Sequence, residues 1–257
     1  MFAEGLTLDF LLVLVMGGFS YYVFWRMRTS AKLPPLRRIA GLDAIEEAVG
    51  RATEMDRPVL YLPGYGDFSS PELLASMAVL AGVSRMAAKY ETRLLLAVDL
   101  ARVHPVIQEI VRQGYIAEGK ADLYRPEDVR WFSDFWSGHS IGVIGTMLRE
   151  KVAANIMLGA FYANSLMFAE TGNQVGAIQV GGTASVPQIP FFVAACDYAL
   201  IGEELYAAAA YISRDPVRVS SIVAQDWAKF LVTGLIILGT VLSSTGSEQW
   251  LRDLLNR

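Results

Sequence analysis

Two apolar stretches bracket this chain, Leu6 to Trp25 near its start and Trp227 to Ser244 near its end, and the residues between them read as a water-soluble α/β domain. A helix rises about 1.5 Å per residue, so roughly 18–20 apolar residues match a hydrocarbon core about 30 Å thick. The pattern predicts a membrane hairpin with one globular domain in its loop. The expected parts are an anchor over residues 1–28, a basic juxtamembrane linker over 29–41 and an α/β domain over 42–226. A second transmembrane helix over 227–245 and an amphipathic C-terminal helix over 246–257 complete the division.

The first stretch reads as a retained anchor rather than a leader. No Lys or Arg precedes it, and Arg26-Met27-Arg28 follow where a cleavage site would show small residues. Eight basic residues (Arg26, Arg28, Lys32, Arg37, Arg38, Arg214, Arg218 and Lys229) flank the domain side of the two stretches, against Arg252 and Arg257 beyond the second. Basic flanks stay on the cytoplasmic side. The expectation is therefore a two-pass protein of the inner (plasma) membrane, with both termini outside and the α/β domain in the cytoplasm.

Composition narrows the function classes. A net charge of −4 offers no basic footprint for nucleic acid. A single cysteine, Cys196, allows no internal disulfide, and His104 and His139 are too few for a histidine-rich metal centre, so no metal site is expected.

Within the domain, apolar runs at Val59–Leu62, Thr92–Val98, Val129–Phe132, Ala154–Leu158, Val175–Val180 and Tyr198–Ile201 alternate with helical patterns. Continuous apolar strands between helices imply a parallel sheet covered on both faces. The expected fold is a Rossmann-like, three-layer α/β sandwich with a mostly parallel sheet of about six strands, plus two transmembrane helices. Asp43 and Asn164 are placed as helix caps, and His104 and His139 as caps or loop residues.

Ligands in such folds bind beyond the carboxyl ends of the strands. Gly64 and Gly66, in Pro63-Gly64-Tyr65-Gly66-Asp67-Phe68-Ser69, partly match a dinucleotide fingerprint, with Asp99 as the ribose-binding acid. Ser69 stands where the third glycine belongs, and Asp67 puts a negative charge where a pyrophosphate would approach. A second candidate loop is Gly181-Gly182-Thr183-Ala184-Ser185, where glycine amides and the hydroxyls of Thr183 and Ser185 can face an anion. Cys196 reads as a buried, inert thiol, and Glu203-Glu204 as acids at a helix start. Gln179 and Glu170 interrupt apolar contexts, where a ligand, a second subunit or backbone could satisfy them.

The segments GLDAIEEAVGRA, AANIMLGAFYANSLMFAETGNQVGAIQVGGTAS and QIPFFVAACDYALIGEELYAAAAY resemble a family of bacterial membrane proteins known as a domain of unknown function. The resemblance runs from about Pro35 onward and implies a membrane-anchored domain with this segment order. It implies no catalytic residue and leaves the cofactor unknown. No convergent catalytic set is visible, so enzymatic activity is not the expectation. The leading expectation is a scaffold that self-assembles at the bilayer as a homo-oligomer, alone or with another membrane protein. The alternative is a small-ligand or nucleotide-binding domain, or an enzyme, using the Gly181-Gly182-Thr183 loop.

Overall fold

The computed structural model describes residues 7–29, 39–213 and 216–244. The basic linker and the amphipathic C-terminal helix expected from sequence lie outside the described residues, apart from Thr29, Ile39, Ala40 and Gly41 at the linker's ends. The chain divides into two units, Leu36–Ser213 and the pair Met1–Pro35 with Arg214–Arg257.

The larger unit contains six parallel strands: β1 (Val59–Leu62), β2 (Leu94–Val98), β3 (Val129–Trp131), β4 (Ala154–Leu158), β5 (Ile178–Thr183) and β6 (Tyr198–Ile201). Their order is β3-β2-β1-β4-β5-β6. Every pairing is parallel, as the uninterrupted apolar runs required. The chain starts in the middle of the sheet at β1, winds outward to β3, then crosses back to place β4 on the other side of β1.

Two helical layers cover the sheet, and alternate side chains of β1 divide between them. Val59 and Tyr61 enter the core under α2 (Ala40–Glu54), α3 (Pro71–Lys89), α4 (His104–Ala117) and α8 (Glu203–Ser213). Leu60 and Leu62 enter the core under α5 (Trp136–Glu150), α6 (Asn164–Val175) and α7 (Ile189–Ala195). Local chemistry sets the helix ends. Ser70 caps α3 by accepting from the Leu73 amide at 3.4 Å, with Pro71 in the first turn. Gly176 closes α6 in the left-handed region, at φ 70°.

Two buried polar clusters tie these layers to the sheet. Gln179, fully buried on β5, donates to the carbonyls of Ala169 and Ala195 and to Asn173 Oδ1, and accepts from Asn155 Nδ2 at 3.2 Å. Backbone and neighbouring amides thus satisfy it within the chain, while Glu170 is exposed. Arg93 donates to both oxygens of the buried Asp128 carboxylate and to Glu150 at 2.9 Å, and Glu150 also accepts from Arg130 at 2.7 Å. These carboxylates hold the Arg93 guanidinium firmly protonated. In Arg93→Met, Asp128 keeps only Arg130, at 3.9 Å. Breaking a buried pair costs about 3–5 kcal/mol, and the partial exposure of Arg93 reduces this to about 2 kcal/mol. Chemical denaturation at pH 7 is expected to show that loss, with Asp128→Asn recovering part of it in the double variant.

In the smaller unit, α1 (Thr7–Thr29) and α9 (Pro216–Ser244) pack together, with Phe19 edge-on to Trp227 at 6.4 Å. Among the described residues one helix, not the expected two, is long and apolar enough to cross a membrane: Ile222–Val241 within α9. It starts earlier than the stretch read from sequence, because Pro216 begins the helix and the moderately apolar turns before Trp227 continue into it.

Candidate functional site

The strand order reverses between β1 and β4, which brings the loops leaving these two strands together at the switch-point crevice beyond their carboxyl ends. Such switch points are where open α/β sheets take up ligands. The β1 loop enters it through Gly64, at φ 83°, whose missing side chain lets the loop lie against Gly159 and Ala160 of the β4 loop. The Tyr65 amide donates to the Ala160 carbonyl at 2.7 Å, which fixes the two loops to each other.

Tyr65 is the hub. Its ring stands edge-on to His139 at 5.4 Å and to Phe161 at 6.1 Å, and packs on Tyr162 at 5.7 Å. Its hydroxyl accepts from Asn164 Nδ2, and the same amide donates to Ser140 Oγ at 3.1 Å. Burial pushes the Tyr65 phenol up to about 12, so it stays protonated at every physiological pH. Asp99, at the end of β2, faces this group closely enough for its charge to be felt at the phenol.

Three buried polar atoms of residues around Tyr65 have no hydrogen-bond partner: Asp99 Oδ1, His139 Nδ1 and Asn164 Oδ1. Each comes from a different element, and all three residues are under 8% exposed. Desolvation raises the Asp99 carboxyl to about 6, although the Gly66 and Leu100 amides favour its charged form. Desolvation also lowers the His139 imidazole to about 4. At neutral pH the crevice therefore holds a carboxylate and a neutral imidazole. The Val98 carbonyl beside His139 favours the protonated ring, and Nδ1 has no hydrogen-bond partner.

The sequence-derived candidates fall into two groups. Gly64, Gly66 and Asp99 meet at this crevice, with Gly66 placing its amide toward the Asp99 carboxylate. Gly181, Gly182 and Thr183 do not form a loop. They lie inside β5, paired on one side with β4 and on the other with β6. The strand begins three residues later than its apolar pattern suggested, because Val175 and Gly176 end α6. A side chain at Gly181 would meet Phe192 and Cys196, and one at Gly182 would meet Leu158 and Leu200, so packing explains both glycines. Thr183 donates to Gln188 Oε1 at 3.3 Å, and the same oxygen accepts the Phe161 amide at 2.8 Å. Ser185 precedes a 3-10 turn and makes no side-chain cap; its amide donates to Thr183 Oγ1.

Three further placements differ from expectation. Asn164 is inside α6 rather than capping it, and Asp43 is inside α2, where it accepts from the Tyr211 hydroxyl at 3.2 Å. His139 is neither cap nor loop but a buried residue of α5, enclosed by Tyr65, Phe132 and Phe168. Burial pushes the Cys196 thiol up to about 12, which suits an inert side chain.

The first turn of α3 is already occupied. Asp67 accepts from the Ser69 amide and hydroxyl and pairs with Arg102 at 3.1 Å. A carboxylate of the chain itself thus sits where a fingerprint loop would hold phosphate. Among the described residues, no group of three His, Cys, Asp or Glu side chains is arranged to hold a metal ion.

A family model described as Domain of unknown function (DUF6754) matches residues 1–254. No curated protein matches the chain, and no solved structure does.

Proposed function

We propose that this chain, which belongs to the DUF6754 family, is a membrane-anchored protein whose α/β domain binds a small hydrogen-bond-donating molecule at the crevice. One observation carries the reading: three residues around Tyr65, Asp99, His139 and Asn164, each hold a buried polar atom without a partner. Buried polar groups in folded proteins are nearly always satisfied, and an exception calls for an unseen occupant. An occupant that donates to a carboxylate, an amide oxygen and an imidazole nitrogen is a polyol, a nucleoside or an amine. An anion is disfavoured, because the crevice offers it no free cation and Asp67 already neutralises Arg102.

The anchoring rests on the Ile222–Val241 span, on α1 as its hairpin partner, and on the eight basic residues flanking the domain side. By the charge asymmetry the protein is two-pass in the inner membrane, with a cytoplasmic, Rossmann-like domain.

The test is thermal unfolding of the full chain in mild detergent with adenosine, ribose, putrescine or inorganic phosphate. A ligand at a hundred times its Kd stabilises by about 2.7 kcal/mol, worth roughly 5–10 °C for a domain of this size. At least one donor-bearing probe is expected to give such a shift, to lose it in Asn164→Ala, and to bind more weakly below pH 6 as Asp99 protonates. Stabilisation by phosphate alone, or by none of the donor-bearing probes, would overturn the reading.

A further inference from the structure

The two helical layers of the larger unit differ in charge. The helices α2, α3, α4 and α8 carry twelve Asp, Glu, Lys and Arg residues, and α5, α6 and α7 carry three. Two of those three, Arg149 and Glu150, end α5, and Glu150 is engaged with Arg93 and Arg130. Across residues 152–196 Glu170 is the only Asp, Glu, Lys, Arg or His.

What replaces charge on the outer side of this layer is apolar. Ile141 and Leu148 of α5, Leu166 and Met167 of α6, and Phe191 and Val193 of α7 are all exposed, while the opposite sides of the same helices are buried against the sheet. The segments entering these helices add Phe135, Tyr162 and Val186, each at least two-thirds exposed. With large side chains contributing roughly 150–250 Å² when fully exposed, the face presents on the order of 1,000 Å² of apolar surface. The largest apolar patch of a typical monomer is about 300–600 Å².

We infer that this face is the contact surface between two copies of the chain. Its size matches the roughly 800 Å² that each partner contributes to a stable interface. Its chemistry also points to self-pairing. In a two-fold contact the same patch meets itself, so a charge near the axis faces its own copy and one away from it is desolvated unless the patch also carries its opposite; a face almost free of charge avoids both costs. A foreign partner chosen by charge complementarity would need the ionic rim that this layer lacks. The unit's described ends, Ile39 before α2 and Ser213 closing α8, both belong to the charged layer. Tyr162 sits on the face and packs on Tyr65, so the interface borders the mouth of the crevice.

The full chain in mild detergent, measured by light scattering with the detergent mass subtracted, is expected to be a dimer. Ile141→Asp and Val193→Asp should each weaken association at least tenfold while leaving the circular-dichroism spectrum of the folded chain unchanged, because both side chains point to solvent in the monomer. Val106→Asp, on the opposite layer, should leave the dimer intact. A monomeric wild type would overturn the inference and give the face to lipid or to another protein. A dimer that survives Ile141→Asp and Val193→Asp together would also overturn it, by locating the contact elsewhere.

Discussion

Gly64→Ala is expected to lower the unfolding midpoint by about 10 °C, whereas Gly176→Ala, at nearly the same backbone angle, should lower it by only a few degrees. Both glycines have φ in the left-handed region, at 83° and 70°. An L side chain there costs roughly 1–2 kcal/mol. The positions differ in what a methyl group would meet. At Gly176 nothing lies within 4 Å, and the strain is the whole effect. At Gly64 the new carbon would stand 2.8 Å from the Ala160 oxygen, 2.9 Å from its nitrogen and 3.0 Å from the Gly159 Cα. These are backbone atoms tied into the Tyr65–Ala160 hydrogen bond, so they cannot yield by changing a rotamer. Overpacking adds about 1–3 kcal/mol, for a total near 3–5 kcal/mol. At about 2–4 °C per kcal/mol for a domain of this size, calorimetry of the two variants separates strain from collision. Equal losses would show that the β1 and β4 loops can part, and that the crevice floor is looser than its geometry.

That junction also explains how far the sequence could lead. The six strands are visible as apolar runs because both faces of each are buried, and composition records burial directly. Asp99 and Gly66 can be paired from sequence because a glycine-rich turn after one strand and an acid after the next is a pattern along the chain. Tyr65, His139, Ser140 and Asn164 form the rest of the candidate site and are spread over a hundred residues. Nothing local marks them: Asn164 resembles a helix cap, and His139 follows a glycine as many loop residues do. They meet only because β4 inserts beside β1, and the order of strands is a long-range property. The reading of Gly181 and Gly182 as a loop differs from their place in β5 for the opposite reason. Paired glycines resemble a turn along the chain, and only the packing of Phe192, Cys196, Leu158 and Leu200 shows them to be close contacts within a strand. The uncharged layer was legible in principle, since residues 152–196 hold one charged side chain, but its meaning depends on knowing which sides of three helices face out.

The same neighbourhood gives the chain a pH response whose two halves oppose each other. Asp99 holds its proton up to about pH 6 in the folded protein, against 3.8 as an ordinary carboxyl. The folded state therefore binds more protons than the unfolded chain between those values. Its contribution to stability is full below pH 3.8 and is lost as pH rises through 6. His139 behaves in reverse: its imidazole protonates near pH 4 in the fold, against 6.5 ordinarily. Its contribution is present above pH 6.5 and is lost as pH falls through 4. At about 1.4 kcal/mol per pH unit of separation, each contribution is worth roughly 2–3 kcal/mol. Between pH 4 and 6 the slopes cancel, so the wild type should be nearly flat there as far as this pair is concerned. Asp99→Asn removes the falling limb; that variant should gain about 2 kcal/mol at pH 7 and lose stability steeply on acidification below 6. His139→Gln, of similar size and uncharged, removes the rising limb and should be most stable near pH 4. Denaturant titrations at half-unit pH intervals measure both slopes. Parallel curves for the two variants would mean that the carboxyl and the imidazole are not the titrating groups. Opposed curves would establish that the crevice at neutral pH holds one negative charge beside a neutral ring, the state in which both groups accept hydrogen bonds from a bound donor.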